Sequence, residues 1–579
     1  MKIQRFLSIK KIVFCLVPIL FFISGCVAVN QSRLSGEDSL RSVQYRSEII
    51  DPEAKALFSF SEFRLLGAEN RWEEAIAALN RAISFDPNSD YLQLILAKAY
   101  LHRQQPEKAV ATLELLLDRD PENVAGHELL GDVLSYQQNY ILAIDHFRRA
   151  LQLEPEDEAL KLRLAMAFAR LERTDEAITV LASLLEQSPG AALARLALAR
   201  LYLGKKQTGK ATEAYQQLLE WHPDQLQAVL EYGKLLEQKD QGAALELYQS
   251  FINRNPRAAA VRQQLSQYFL SRHQLSDALA QLQAVRQQFP ANLQIINRIG
   301  LIQLELENWV EAESAFRLLL ESDDDQGRSR YYLAMALSGQ GQAVEAITIL
   351  APISRDSPIY TEAKLQLAYL YKQSDQNDQA IATLKQTIEQ DIHHPDLYYY
   401  LVAFLGDSGD HEQALNVAQR GVEKNPDETQ LLYQLGVLYE KLDKRQTAVQ
   451  AMEKVLLLDD AHSDALNFLA YDQAENDINL ELALVRAQKA LAIKPSGYIV
   501  DTLGWIYFKM GRYPESREQL EKATELHPND AVIQEHLGDL YRAMNLWQQA
   551  VAAYRRALEI DPQMTQVEEK LQVLLLETQ

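Results

Sequence analysis

Small and apolar residues recur along the chain with a period of 34 residues. Ala75 is followed by Leu79 four positions later, by Ala82 after three more, and by Pro87 five further on. Offsets of three and four residues predict one buried face of a helix at each recurrence. The step departs from 34 by one residue at only three places, and the anchor positions are Ala75, Ala109, Ala143, Ala177, Ala211, Ala244, Ala278, Ala312, Ala346, Ala380, Ala414, Ala448, Ala483, Ser516 and Ala550.

A second pattern precedes each anchor and predicts another helix. In the last recurrence Leu537-Gly538 places a small residue twelve positions before the anchor, and Tyr541 follows three residues later. A break such as Gly511, five positions before an anchor, separates the two helices. A proline twelve positions after the anchor, such as Pro562, ends the second helix because it lacks the amide hydrogen that the next turn needs.

This helix pair resembles the tetratricopeptide repeat, and the resemblance covers residues 56–564. It implies an all-α fold, a right-handed superhelical solenoid of about fifteen helix-turn-helix repeats. One repeat cannot bury its apolar face alone, so we expect neighbours to stack, with bulky side chains filling notches left by Ala or Gly. Residues 565–579 are predicted to form a capping helix with a polar outer face.

Some positions depart from the pattern without interrupting the period. Asp324, Ile392 and Asp460 stand where proline is expected, Ser516 replaces the anchor alanine, and Phe63 replaces the small residue of the first repeat. We expect looser turns or tighter packing at these repeats.

The N-terminus has the pattern of an export signal. Four basic residues within the first eleven precede an apolar run over residues 12–23 that is too short to cross a bilayer. Ile23, Ser24, Gly25 and Cys26 then resemble the bacterial lipobox, in which the cysteine is acylated and becomes the mature N-terminus; the alternative is an ordinary cleaved signal with a chance cysteine. We therefore predict a signal peptide over residues 1–25 and a lipidated polar tether over 26–55.

The lipobox resemblance also implies a location. Val27 follows the cysteine, and in such lipoproteins the absence of Asp there usually accompanies transfer to the outer membrane, facing the periplasm. The inner membrane is the less favoured alternative.

Charge and cysteine content exclude several classes of protein. The chain has 58 Lys and Arg against 80 Asp and Glu, a net charge of −22. This argues against nucleic-acid binding, which requires a basic face. If Cys26 is lipidated and Cys15 removed with the signal, no thiol remains for disulfides, catalysis or metal binding.

Motifs with catalytic or metal-binding chemistry are weak. Gly339-Gln340-Gly341 falls at a predicted turn between helices, and residues 323–327 lack the alternating ligands of a calcium loop. His393 and His394 precede a proline, as His222 and His527 do, which indicates a turn role. We predict no enzyme activity, no cofactor and no metal.

One row of aromatic residues is the candidate binding site. In the repeat family the first helix of each unit lines the concave side, and the matching positions here give the aromatic row, which consists of Tyr331, Tyr369, Tyr399, Tyr433, Tyr471 and Trp505. Aromatic rings concentrate binding energy at interfaces, so the row is a plausible anchor for a bound segment. The alternative interpretation is that some rings close gaps between neighbouring first helices.

The function that these features favour is a membrane-anchored protein–protein interaction scaffold or adaptor. Residues 465–471, 501–505 and 535–539 resemble the outer-membrane repeat lipoproteins that dock a carboxy-terminal processing protease and bring it peptidoglycan hydrolases. An assembly factor for pili or exopolysaccharide export is the alternative. An enzyme acting on cell-wall glycan is less favoured, because no motif nominates its pair of carboxylates.

Overall fold

The computed structural model describes residues 51–321, 327–390 and 392–577. Over these ranges the chain forms 31 helices and no strand, so the predicted all-α class is confirmed. Within the same ranges, no helix combines the length and apolar character that a membrane crossing requires.

The chain divides into two compact units, one reaching to Leu201 and the other beginning at Tyr202. The helices that begin in the first unit are α1 (Pro52–Ala68), α2 (Trp72–Phe85), α3 (Asp90–His102), α4 (Pro106–Arg119), α5 (Val124–Tyr136), α6 (Tyr140–Leu153), α7 (Glu158–Arg170), α8 (Thr174–Gln187) and α9 (Ala192–Gly204).

The remaining helices belong to the second unit. They are α10 (Thr208–Trp221), α11 (Leu226–Lys239), α12 (Gln241–Arg254), α13 (Ala259–Leu270), α14 (Leu275–Gln288), α15 (Leu293–Glu305), α16 (Trp309–Leu320), α17 (Arg328–Gly339), α18 (Ala343–Leu350), α19 (Tyr360–Gln373), α20 (Asn377–Glu389), α21 (Pro395–Asp407), α22 (His411–Lys424), α23 (Thr429–Lys441), α24 (Arg445–Leu458), α25 (Ser463–Glu475), α26 (Leu480–Ile493), α27 (Gly497–Lys509), α28 (Tyr513–Leu526), α29 (Ala531–Ala543), α30 (Trp547–Ile560) and α31 (Thr565–Glu577).

The helices follow the predicted pairing. The odd-numbered helices from α1 to α29 are the first helices of the repeats, and the even-numbered helices from α2 to α30 are the second. Every anchor lies on a second helix and is 0% exposed, including Ser516, whose hydroxyl donates a hydrogen bond to the Gly504 carbonyl at 2.8 Å. The 34-residue pattern therefore identified the centre of each buried face.

The small residues form the notches that the sequence predicts. A Cβ atom built on Gly131 would lie 2.5 Å from the ring of Phe147, and one built on Gly538 would lie 2.5 Å from the ring of Tyr554. These distances are shorter than van der Waals contact, so only glycine permits this approach of the two helices.

In thirteen of the fifteen pairs the residue five positions before the anchor has a left-handed backbone, and the turns of α11–α12 and α25–α26 are the exceptions. Gly409 and Gly511 have φ angles of 80° and 71° there, but Gln138 and Glu307 adopt the same conformation with φ of 63° and 57°. The sequence indicated a left-handed turn only where glycine stands. Other residue types adopt the same backbone conformation in this fold, and they give no such signal in the sequence.

Proline follows most second helices and accounts for one short helix, but a second helix can also end without it. Helix α4 ends at Arg119, two residues before Pro121, whereas α18 has only 8 residues because a proline at position 352 closely follows its last residue, Leu350. Helix α24 ends at Leu458 although Asp460 replaces the proline. The turn at this repeat is thus retained without it.

The first and last helices cover the ends of the described chain. Helix α1 begins at Pro52, inside the predicted tether, with Asp51 accepting a hydrogen bond from the Glu53 amide at 3.3 Å. At the other end α31 buries Val567 and Leu574 against the last helix pair.

Candidate functional site

The predicted lipid-attachment motif lies outside the described residues. This applies to Ile23, Ser24, Gly25 and Cys26, and to the tether as far as residue 50. Lipidation therefore stays a prediction from the sequence.

Four residues of the aromatic row lie on successive first helices of the second unit. Tyr331 is on α17, Tyr369 on α19, Tyr399 on α21 and Tyr433 on α23. Tyr369 is the most open of them at 45% exposure, and its hydroxyl accepts a hydrogen bond from the Gln373 amide at 2.8 Å. The other three rings are half-buried.

Tyr400 extends this surface, whereas its counterpart Tyr332 stacks on the buried ring of Phe316 on α16. The ring centroids of Tyr331 and Tyr332 lie 5.4 Å apart, and those of Tyr399 and Tyr400 lie 5.3 Å apart, both in edge-to-face geometry. Tyr400 is 38% exposed. The family pattern did not point to these neighbours because it selects only two positions of each first helix, although adjacent tyrosines were the available signal.

The hydroxyls of Tyr331 and Tyr433 remain protonated at neutral pH. Burial is the main cause that raises the pKa of Tyr433 to about 12, and the nearby carboxylate of Asp464 adds to it. Burial also raises the pKa of Tyr331, with a contribution from Glu362 on the next first helix. These hydroxyls can therefore donate hydrogen bonds to a partner.

The last two members of the row belong to a different environment. Trp505 is only 6% exposed, and its ring stacks on His536 at 4.1 Å and on Phe508 at 4.7 Å. Its indole N–H donates to the Glu475 carboxylate. Trp505 thus closes a gap between neighbouring first helices, as in the alternative interpretation, and Tyr471 is half-buried with its ring 6.0 Å from His536.

A buried ion pair lies beneath Trp505. Nδ1 of His536 on α29 is 2.9 Å and 3.0 Å from the two carboxylate oxygens of Asp501 on α27. Burial opposes a charge on His536, but the attraction of Asp501, helped by Asp539 and Glu535, outweighs it and raises the pKa of the imidazole. We call Asp501, Trp505 and His536 the acid–histidine cluster.

The acidic residues next to this cluster are also paired. The Lys570 ammonium on α31 donates to Glu535 and to Asp539, both at 2.7 Å. Part of the carboxy-terminal stretch with the adaptor resemblance thus serves packing between first helices and the last helix.

Candidate cofactor motifs occupy turns. Gly341, with φ of 76°, lies in the turn between α17 and α18. His393 lies just before α21, and its Nδ1 is 2.8 Å from the hydroxyl of Tyr398 within that helix. Residues 323–326 lie outside the described ranges. Across the part of the chain that the structure describes, no three His, Cys, Asp or Glu residues are grouped to hold a metal ion.

Family models identify the repeat. Models described as tetratricopeptide repeat match residues 67–133, 128–192, 170–231, 264–327, 337–403, 429–462 and 499–563, together more than half of the chain.

Curated relatives are similar over part of their length. A TPR repeat-containing protein of Pseudomonas aeruginosa is 25% identical over 182 residues, which are 31% of either chain. A BBSome complex member of Bos taurus is 27% identical over 36% of this chain and 40% of its own length. The chain thus spans less than half the length of these relatives.

Solved structures include other repeat proteins. A tetratricopeptide repeat protein from Parabacteroides merdae is 16% identical over 43% of this chain and 99% of its own, with a TM-score of 0.35. The APC/C hetero-tetramer Cut9–Hcn1 provides another match, 17% identical over 83% of this chain and 95% of that chain, with a TM-score of 0.29. The family matches and the buried anchors lead to one conclusion: the chain is a tetratricopeptide repeat protein.

Proposed function

We propose that the chain is a lipid-anchored protein–protein interaction scaffold that faces the periplasm. The observation that carries the proposal is the set of open tyrosine rings on the first helices of the repeats, above all Tyr369 and Tyr400. Such rings supply apolar contact area and a hydroxyl donor at little entropic cost, which suits recognition of a protein segment.

Anchoring by Cys26 increases the effect of a modest affinity. A scaffold held at a membrane raises the local concentration of the proteins that it binds. Two partners bound to one scaffold therefore meet more often. Cys26→Ser is expected to release the chain from the membrane fraction. Retention of the Cys26→Ser protein in that fraction would contradict the lipid anchor while leaving the scaffold proposal intact.

The partner class that we propose is a processing protease together with its peptidoglycan-hydrolase substrates. The support is the resemblance of residues 465–471, 501–505 and 535–539 to the adaptor lipoproteins.

Site-specific crosslinking tests the binding surface. A photoreactive phenylalanine analogue replaces Tyr369 or Tyr400 in cells, and mass spectrometry identifies the captured protein. The matched control is Leu457, which is 85% exposed on the second helix α24. We expect capture of an envelope protease or hydrolase from positions 369 and 400 and none from 457.

The other outcomes separate the alternatives. Capture of a pilus or export component would replace the protease adaptor role with the assembly role. Equal capture from position 457, or none from any position, would contradict the tyrosine surface. Activity of the purified full chain on peptidoglycan, lost on a single carboxylate change, would favour the glycan enzyme.

A further inference from the structure

A second surface on the first helices has different chemistry. Side chains of α11, α13 and α15 line a depression of about 370 Å³, and among them are Lys234, Gln263, Gln267 and Arg298. No side chain of a second helix contributes to its lining. We call this depression the amide groove.

The glutamine amides of the groove differ in whether they form hydrogen bonds within the protein. Gln227 donates to Glu231 at 2.6 Å, and Gln264 donates to Glu237 at 2.9 Å. Gln263 and Gln267 have no side-chain hydrogen bond within the part of the chain that is described. Two amides, each with donor and acceptor atoms, are thus available to an extended main chain.

The charge of the groove is opposite to that of the protein. Glu231 is the carboxylate among the lining residues, and it accepts hydrogen bonds from Gln227 and from the Tyr215 hydroxyl at 2.9 Å. Lys234 and Arg298 are exposed, and neither has a carboxylate partner among the described residues. In a chain with a net charge of −22, two cations left without partners on one groove favour an anionic ligand.

We infer that the amide groove binds an extended acidic peptide segment of a partner protein. Carboxylates of the segment pair with Lys234 and Arg298, its main chain hydrogen-bonds to Gln263 and Gln267, and Leu230 contacts its apolar side chains. This docking surface is separate from the tyrosines of the proposed function, so each can fail without the other.

Fluorescence anisotropy with the full chain tests the inference. The probe is a short fluorescein-labelled peptide of alternating Glu and Ala with blocked termini, and its counterpart carries Gln in place of Glu. We expect binding of the Glu peptide that weakens with added salt, and binding of the Gln peptide weaker by about tenfold or more.

Charge reversal locates the site. Lys234→Glu with Arg298→Glu is expected to weaken binding of the Glu peptide by about tenfold or more. The control, Lys239→Glu with Arg257→Glu, makes the same change in net charge at exposed positions outside the groove and is expected to change affinity by less than about twofold. Replacing Tyr369 and Tyr400 by Ala should leave this affinity unchanged.

Three results would overturn the inference. They are equal affinity in both charge-reversed proteins, equal affinity for the Glu and Gln peptides, and binding of a polyanionic glycan such as polygalacturonate without binding of the Glu peptide. Since Lys234 and Arg298 are exposed, circular dichroism should show both variants as helical as the parent protein.

Discussion

Equivalent first helices of the second unit use their side chains in two ways. In the amide groove of α11 and α13, Gln263 and Gln267 leave a depression open to solvent. In α27 and α29, Trp505 and His536 stack on each other and bury an ion pair with Asp501. A position on a first helix is therefore not a binding position by itself, because side chains of the neighbouring repeat determine whether it remains exposed.

Side-chain size and charge account for the difference. The indole of Trp505 reaches across to Glu475 on the preceding first helix and to His536 on the following one. A glutamine amide is smaller and prefers hydrogen bonds with water or a ligand to such stacking. The acid–histidine cluster thus contributes stability, while the amides of Gln263 and Gln267 in the amide groove stay accessible to solvent.

The largest expected effect comes from breaking the buried ion pair. Asp501→Ala leaves His536 without its counter-charge in a site closed to water, and loss of one partner of a buried pair costs about 3 kcal/mol or more. We expect hydrogen exchange in α27 and α29 to accelerate accordingly, since stability in repeat arrays is local. Asp460→Ala removes the exposed partner of Lys489 and serves as control, with an expected loss below about 1 kcal/mol. Equal effects would show that burial of the pair does not matter.

The pH dependence of the same helices tests the charge of His536. Its pKa in the folded protein is raised, so the pair stabilises α27 and α29 fully below the unfolded-state pKa of about 6.5. This contribution is lost as the pH rises through the raised pKa. Hydrogen exchange corrected for intrinsic rates should therefore show stability falling toward alkaline pH in the parent protein, and less so in Asp501→Asn. An identical slope in both proteins would contradict the charged pair.

The notches are expected to matter in both regions, with smaller effects. Gly233→Ala on α11 places a Cβ 2.3 Å from the buried Tyr248 ring, and Gly504→Ala on α27 places one 2.7 Å from Leu520. Overpacking of this kind costs about 1–3 kcal/mol, more at the rigid ring than at the flexible leucine. Thermal unfolding should rank the two variants in that order.

Gly406 provides the matched control for the notches. It lies in α21, and a Cβ added there would have no neighbouring atom within 4 Å, so Gly406→Ala should gain up to about 1 kcal/mol of helix propensity. A gain at Gly233 as well would contradict the notch explanation.

The sequence predicted the repeat better than the site. The anchors, the notches and the paired helices follow from residue types within one repeat, and the structure confirms them. The environment of Trp505 cannot be predicted from one repeat. Its partners Glu475 and His536 lie about one period before and after it, so its burial depends on the side chains of the neighbouring repeats. The amide groove was missed for the same reason, since Lys234 and Arg298 belong to different repeats and carry no local motif.

The smallest effects are expected at the turns that follow the first helices of each region. Gly511 after α27 has φ of 71° and no atom within 4 Å of a Cβ position, so Gly511→Ala changes only backbone strain and should cost about 1 kcal/mol. Glu307 after α15 already bears that strain at φ of 57°, so Glu307→Gly should gain stability of similar size. Opposite shifts in the thermal unfolding midpoint are the expected result. If both substitutions destabilise the protein, contacts of the Glu307 side chain outweigh its backbone strain, and the turn is not equivalent in the two regions.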